Sequence, residues 1–206
     1  MIYLHDVAIL ALDLAPALSA KGLLASAWLA DEPAIQDALN LVGHPIKPAR
    51  LQQRLRNGLR LVRFDLDGTP VATTWLASSG GRYIDELNWL LPIGAGDVWL
   101  RDVFVAPAWR GRGLFSKIVA TLAWPQDGPA RRIWSDVDWV NAQSMRAHKA
   151  AGFQVVARVR ALDFWGRLRV RSAVPPWPMP VSEIEPASRL IWLRGGRLRR
   201  HLELLA

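Results

Sequence analysis

The sequence predicts an α/β (α+β) chain: a mixed sheet flanked by helices, followed by a Pro-rich linker and a helical tail. Three observations carry this. Of the 206 residues, 51% are hydrophobic and 21% charged, enough apolar material to offset chain entropy in one sizeable core. From Leu59 onward, stretches with a period of two alternate with stretches of helical period, in the order strand, helix, strand, helix, strand. No internal repeat or low-complexity tract divides the chain. Residues 1–174 therefore read as one domain and residues 175–206 as the linker and helical extension.

The opening stretch to Leu14 is apolar and strand-compatible. Pro16 suits the first turn of a helix, which the sequence predicts to run through Lys21, Leu24 and Trp28. Asp31-Glu32-Pro33 starts a helix at Ala34, and Pro45 and Pro48 interrupt it before Arg50 to Asn57 resume; Gly58 closes it. Asp67-Gly68, between LRLVRFDL and TPVATTWLA, marks a hairpin of two antiparallel strands. The turn-rich SSGGRYIDELNWLLPIGAGD predicts a folded loop or short helix. VWLRDVFV then reads as a central strand, because both of its sides are largely apolar. Its alternation puts Trp99, Arg101, Val103 and Val105 on one side and Val98, Leu100, Asp102 and Phe104 on the other. A helix follows from Arg112 to Ala123, with Phe115, Ile118, Val119 and Leu122 on one face. Next come a strand (RRIWSDVDWV), a helix from Asn141 to Gly152, and two strands (FQVVARVRALDFW and RLRVRSAV). VPPWPMP is the linker, and a last helix spans Ser188 to Leu205.

With no cysteine, disulfides, thiolate metal sites and cysteine nucleophiles are excluded. The formal net charge of +8 suggests an anionic partner: nucleic acid, a membrane surface or a polyphosphate cofactor. MIYLHDVAIL lacks a basic start, and Asp6 and Asp13 interrupt its apolar stretch, so it reads as no signal peptide. No run reaches the ~18 to 20 apolar residues a spanning helix needs, and a cytoplasmic protein without a transmembrane segment is the expectation.

The informative segment is Val103-Phe104-Val105-Ala106-Pro107-Ala108-Trp109-Arg110-Gly111-Arg112-Gly113-Leu114-Phe115. A strand ends at Pro, and a glycine-rich basic turn opens a helix. Backbone N–H groups at such a helix start converge on a phosphate, and glycines let it approach. A second segment, Asn141-Ala142-Gln143-Ser144-Met145-Arg146-Ala147-His148-Lys149-Ala150-Ala151-Gly152-Phe153, forms a helix with Asn141, Ser144 and His148 on one polar face.

These two segments, in this order, resemble the GCN5-related N-acetyltransferase (GNAT) superfamily. Arg110, Gly111, Arg112, Gly113, Leu114 and Phe115 follow the family's acyl-CoA loop, Arg/Gln-x-x-Gly-x-Gly/Ala, with Phe115 where the last Gly or Ala usually stands. The second segment is similar to the family's Asn-x-x-Ala-x-x-x-Tyr-x-x-x-Gly-Phe helix, with His148 in place of the tyrosine. The resemblance covers about residues 59 to 170. It implies a mostly antiparallel central sheet and direct transfer from acetyl-CoA, or another acyl-CoA, to a primary amine. Val103, Phe104 and Val105 would pair with the pantetheine arm through their backbone, the loop would hold the pyrophosphate, and Asn141 and Ser144 would position the arm; from the residues alone, Asn141 also reads as the N-cap of its helix, with Ser144 at the third helical position. His148 would protonate the departing thiolate; otherwise it is a helix-capping or solvent-facing histidine. Asp102, a carboxylate in an apolar strand, reads either as the group that deprotonates or orients the amine, or as the partner of Arg101 or a loop arginine. Asp136 and Asp138 are weaker contenders for that role. Tyr83, Asp85 and Glu86 are candidates to line the acceptor pocket, the alternative being a solvated loop, which the segment favours. No metal is expected, and a homodimer is allowed.

The rival is a non-enzymatic module that uses the basic clusters at residues 50–63, 158–171 and 189–200 to bind nucleic acid or another anionic surface. Without a helix-turn-helix, zinc or aromatic RNA-binding motif it ranks below the enzyme, and nucleic acid is not the expected partner. The amine acceptor's identity stays open: a small amine, an amino sugar or a protein amine.

Overall fold

The computed structural model describes residues 2–14, 24–78, 81–84, 89–94, 96–122, 132–164, 167–172 and 179–180. β1 (Ile2–Asp13) and β2 (Ala25–Leu29) precede α1 (Glu32–Leu41) and α2 (Pro48–Arg56). The hairpin β3 (Arg60–Leu66) and β4 (Thr69–Ala77) turns at Asp67 and Gly68, whose φ of 50° and 77° are what a two-residue primed turn requires. β5 (Gly81–Ile84), β6 (Trp89–Pro92), β7 (Asp97–Val105), α3 (Leu114–Leu122), β8 (Arg132–Asp138), α4 (Ala142–Ala150), β9 (Gln154–Phe164), β10 (Arg167–Ser172) and β11 (Met179–Pro180) follow.

Eight strands form one sheet in the order β10-β9-β1-β8-β7-β4-β3-β2. Every neighbouring pair is antiparallel except β7 and β8, which are parallel and joined through α3. The sheet is therefore mixed and mostly antiparallel, as the resemblance implies, and β7 lies in its interior. On one face α3 buries Leu114, Ile118 and Val119, joined by Phe153 just after α4, against Leu100, Ile133 and Val137. On the other, Ile35, Leu39 and Leu51 of α1 and α2 pack on Leu61 and Trp75. Asp31 caps α1 by accepting from the Ala34 N–H at 3.0 Å, and Pro33 sits in its first turn, where a missing N–H costs nothing.

Three segments differ from the expectation. Ala25–Leu29 is a strand, not the end of a helix: it pairs with β3 from Ala25–Asp65 to Leu29–Leu61, and edge pairing outweighs the helical spacing of Leu24 and Trp28. The preceding residues 15–23, where that helix would start, lie outside the described residues. The expected loop or short helix after Ala77 is instead a hairpin, with Gly81–Ile84 paired to Trp89–Pro92. Its second strand also pairs with Met179–Pro180, so part of the expected linker is a strand of a small three-stranded sheet. The helix expected over Ser188 to Leu205 falls outside the described residues.

The alternation along β7 also breaks. Trp75 faces Arg101 and Thr73 faces Phe104, so two residues of β7, Asp102 and Val103, stand opposite Thr74 alone. Asp102 takes a φ of 47°, a left-handed conformation that Asp tolerates better than most residues. The bulge moves Val103 and Val105 to the face of Leu100, against α3 and α4. Asp102 and Phe104 are left with Trp99 and Arg101 on the α1 and α2 side, where Asp102 meets Arg54 and Phe104 meets His44.

Candidate acyl-CoA cleft and acceptor site

β7 and β8 are hydrogen-bonded only from Asp97–Arg132 to Leu100–Ser135. Beyond that last pair they part, and a cleft of about 740 Å³ opens between them. Its walls include Val103, Phe104 and Val105 on one side and Val137 and Asp138 on the other. Arg110, Gly111, Gly113, Leu114 and Phe115 stand at its mouth, and Asn141, Ser144 and His148 of α4 along its flank. The expected cofactor residues are thus gathered along this cleft, apart from Arg112, whose guanidinium lies over the Trp109 ring, 4.8 Å from its centre.

At the mouth, Pro107–Trp109 make a 3₁₀ turn and α3 begins at Leu114, two residues later than expected. The first N–H groups of α3 have no acceptor within the helix. Gly111 and Gly113 hold φ of 74° and 70°, and the space a side chain would occupy at either is open. A bulky anion can therefore come close to the backbone there, which is the fit a pyrophosphate requires. Arg110 donates from Nε to the Val105 carbonyl at 3.0 Å and lies over the Phe104 ring, clamping the loop to the strand end.

At the flank, Asn141 is the N-cap of α4, its Oδ1 accepting from the Ser144 N–H at 3.0 Å. His148 is neither a cap nor solvent-facing: it is only 4% exposed, between Phe115 and Phe153. Its Nδ1 lies 2.8 Å from the Ser144 carbonyl oxygen, which can only accept, so Nδ1 carries the proton. Nε2 then accepts from the Ser135 hydroxyl at 2.9 Å. Burial lowers the His148 pKa, outweighing the opposing Ser144 bond and the Asp136 charge, and keeps the ring neutral.

The closed end, where the β7–β8 ladder stops, is lined by ionised side chains facing the α1 and α2 side. Arg54 of α2, 3% exposed, pairs with Asp102. Burial alone would raise the Asp102 carboxyl; Arg54 and then Arg101 override this and hold it below the usual range. Arg82 of β5 makes two 3.0 Å bonds to Asp136, which also accepts from Trp99 Nε1 at 2.7 Å. Asp102 thus has its partner, but it is Arg54 of α2. Asp136, the weaker contender, is committed to Arg82, and Asp138 accepts from the Val140 N–H at 3.2 Å as a turn residue. Tyr83 lies in β5 opposite Leu90; Asp85 and Glu86 fall outside the described residues.

The sequence reading passed over Ser135, Arg54 and Arg82. Ser135 had a visible signal: it shares a face with apolar Ile133 and Val137. Arg54 and Arg82 had none, since what singles them out is burial beside a carboxylate from a distant strand.

Residues 26–153 match the family model described as the acetyltransferase (GNAT) family. The chain belongs to that family. Its fold is accordingly that of the N-acetyltransferases. Over 69 residues the chain is 33% identical to aminoglycoside N(6')-acetyltransferase type 1 of Stenotrophomonas maltophilia, a match spanning 33% of this chain and 42% of that enzyme. Among solved structures, a GNAT-family acetyltransferase from Novosphingobium aromaticivorans aligns with a TM-score of 0.49 at 15% identity, over 74% of this chain and 60% of that one. Aminoglycoside N-acetyltransferase AAC(6')-Iy, solved in complex with CoA, aligns with a TM-score of 0.43 at 20% identity, over 63% and 91%. Among the described residues no helix is long and apolar enough to cross a membrane.

Proposed function

We propose that the chain transfers acetyl from acetyl-CoA directly to a primary amine. The observation that carries this is the parting of β7 and β8 beyond Leu100 and Ser135, which opens a passage between the two faces of the sheet. Residues Arg110 to Phe115 would hold the pyrophosphate, and Val103 to Val105 would offer backbone groups to the pantetheine arm, with Asn141 and Ser144 beside it. Bound acetyl-CoA supplies an activated acyl group. The run of β7 from Val105 to Leu100 is ~17 Å, which carries an extended arm from the loop to the closed end.

Ser135 and Asp136 are neighbours on one strand and point to opposite faces. Ser135 and His148 serve the α3 and α4 side, where the sulfur would lie. Asp102 serves the opposite side, from which an amine would enter. A carboxylate held ionised by Arg54 is a weak base, so Asp102 orients the amine rather than deprotonating it. Neutral His148, with Nε2 facing the Ser135 hydroxyl, can take up the proton released as the amine attacks and return it through the same hydroxyl to sulfur. Positioning supplies the remainder. The structure also weakens the rival reading, because arginines of its basic clusters are engaged internally: Arg54 with Asp102, Arg63 with Asp65, and Arg158 and Arg160 with Asp6.

Calorimetric titration with acetyl-CoA, followed by CoA-release assays over a panel of primary amines, tests the reading. Saturable binding and amine-dependent CoA release are expected. Salt-sensitive binding of duplex or single-stranded nucleic acid without acetyl-CoA binding would reverse it.

A further inference from the structure

Three guanidiniums meet two carboxylates at the closed end of the cleft. Asp102 is taken by Arg54 and Asp136 by Arg82 and the Trp99 indole. Arg101, the third cation, lines the cleft immediately beyond the last β7–β8 pair, and its buried Nε has no hydrogen-bond partner. Its backbone carbonyl accepts from the Thr74 hydroxyl at 3.0 Å, fixing the strand at the root of the side chain. Among the described residues both nearby carboxylates are already engaged, so this half-buried cation is one negative charge short there.

We propose that Arg101 receives an anionic group of the substrate, and that the acceptor is an amine bearing a carboxylate, with Asp102 facing its ammonium end. This deepens the acetyltransfer reading and rests on it. Adjacent Asp102 and Arg101 present one negative and one positive group on the side from which the acceptor enters, the complement of an amino acid's two charges. A polycation would instead meet four cations, Arg101, Arg82, Arg54 and Arg50, against the two carboxylates Asp102 and Asp136. Burial first, and then Arg82 beside it, brings the Arg101 guanidinium down to about 9, so it is still charged near neutrality and gains from an incoming anion. A charged hydrogen bond in such a place discriminates strongly, because a neutral isostere leaves the guanidinium without its anion.

The test measures acetyl-CoA-dependent CoA release with glycine, β-alanine and γ-aminobutyrate, each against its amide, and with kanamycin as a polycation. The wild-type protein should prefer at least one acid over its amide by about tenfold or more in kcat/KM and should use kanamycin poorly. Arg101→Gln should abolish the preference with acetyl-CoA affinity unchanged within about twofold, and Arg101→Lys should keep part of it. Thermal shifts of the CoA-saturated protein with the same acids and amides give a readout independent of turnover. Equal use of acid and amide, an equal loss on both in Arg101→Gln, or a preference for kanamycin would overturn the proposal. A preference for succinyl-CoA over acetyl-CoA with neutral amines, lost in Arg101→Gln, would move the carboxylate to the acyl group and overturn the acceptor assignment. Failure of the underlying reading is distinguishable: acetyl-CoA alone would then not bind.

Discussion

The two ends of the cleft are built in opposite ways. The mouth is a contiguous stretch from Val103 to Phe115 that presents backbone N–H groups, with glycines at 111 and 113 in left-handed conformations and the Arg110 side chain tied back onto the strand. The closed end is assembled from side chains of α2, β5, β7, β8 and α4, almost all of them buried and paired. A backbone site recognises what all acyl-CoA molecules share. A side-chain site can differ from one chain to the next without disturbing the first, so under the proposed function acceptor choice would reside at the closed end.

The largest effect expected from breaking this contrast comes at the mouth. Gly113→Glu forces a side chain onto a φ of 70° and sets a carboxylate where phosphates would lie. Acetyl-CoA affinity should fall by more than about 100-fold by calorimetry, at unchanged far-UV circular dichroism. A loss under fivefold would take the loop out of the site.

Next comes the closed end. Asp102→Ala leaves Arg54 buried, with Nε and Nη1 already lacking hydrogen-bond partners. Breaking a fully buried pair costs ~3 to 5 kcal/mol; since Asp102 is partly exposed, a loss of about 2 kcal/mol is expected in urea unfolding. The sign with pH follows from the lowered carboxyl. This stability is present above the unfolded value near 3.8 and disappears as pH falls through the lower folded one, so wild type and Asp102→Ala should converge in acid. A constant difference down to pH 2 would show that the pair is not what stabilises.

That contrast also explains what the sequence made legible. Glycines at fixed spacing after a strand, and Asn141 three residues before Ser144, are local arrangements, so the loop and the cap of α4 could be read from order alone. The bulge could not: VWLRDVFV alternates without a break, and the extra residue exists only relative to Thr74 on β4. Arg54 and Asp102 are 48 positions apart and Arg82 and Asp136 are 54 apart, and nothing in either neighbourhood marks them as partners. The strand at Ala25–Leu29 was missed for the same reason, because it is defined by pairing with β3.

A smaller effect is expected at Ser135 and His148. Ser135→Ala removes the hydroxyl that bonds to Nε2 and should lower kcat about tenfold, with little change in acetyl-CoA affinity, since water can take part of the relay. If His148 relays the proton from its neutral form, as proposed, the rate should fall on the acidic side as its lowered pKa is crossed, and His148→Gln should flatten that limb. His44, also lowered chiefly by burial and facing Asp102, Arg54 and Arg50, supplies the control: His44→Gln should leave the limb in place. Stability carries the same sign. Unfolded histidine takes a proton near pH 6.5 while buried His148 resists it, so the folded state loses ground below that pH, and less so in His148→Gln. A pH profile unmoved in His148→Gln would leave the proton to water.

The smallest effect tests where the two ends meet. Asn141 caps α4 through Ser144 and also lines the cleft, so Asn141→Ala removes both a cap and a polar wall group. Loss of a cap costs ~1 kcal/mol. Asn141→Asp retains the cap but puts a negative charge beside an anionic cofactor. If Asn141 only caps, Asn141→Ala should lower the unfolding midpoint and leave acetyl-CoA affinity alone, while Asn141→Asp should change neither. If it also holds the pantetheine arm, both variants should weaken binding about three- to tenfold, although only Asn141→Ala loses stability. The second pattern is the expected one, because α4 starts where β8 leaves the cleft, and a cap at that junction faces the helix on one side and the open passage on the other.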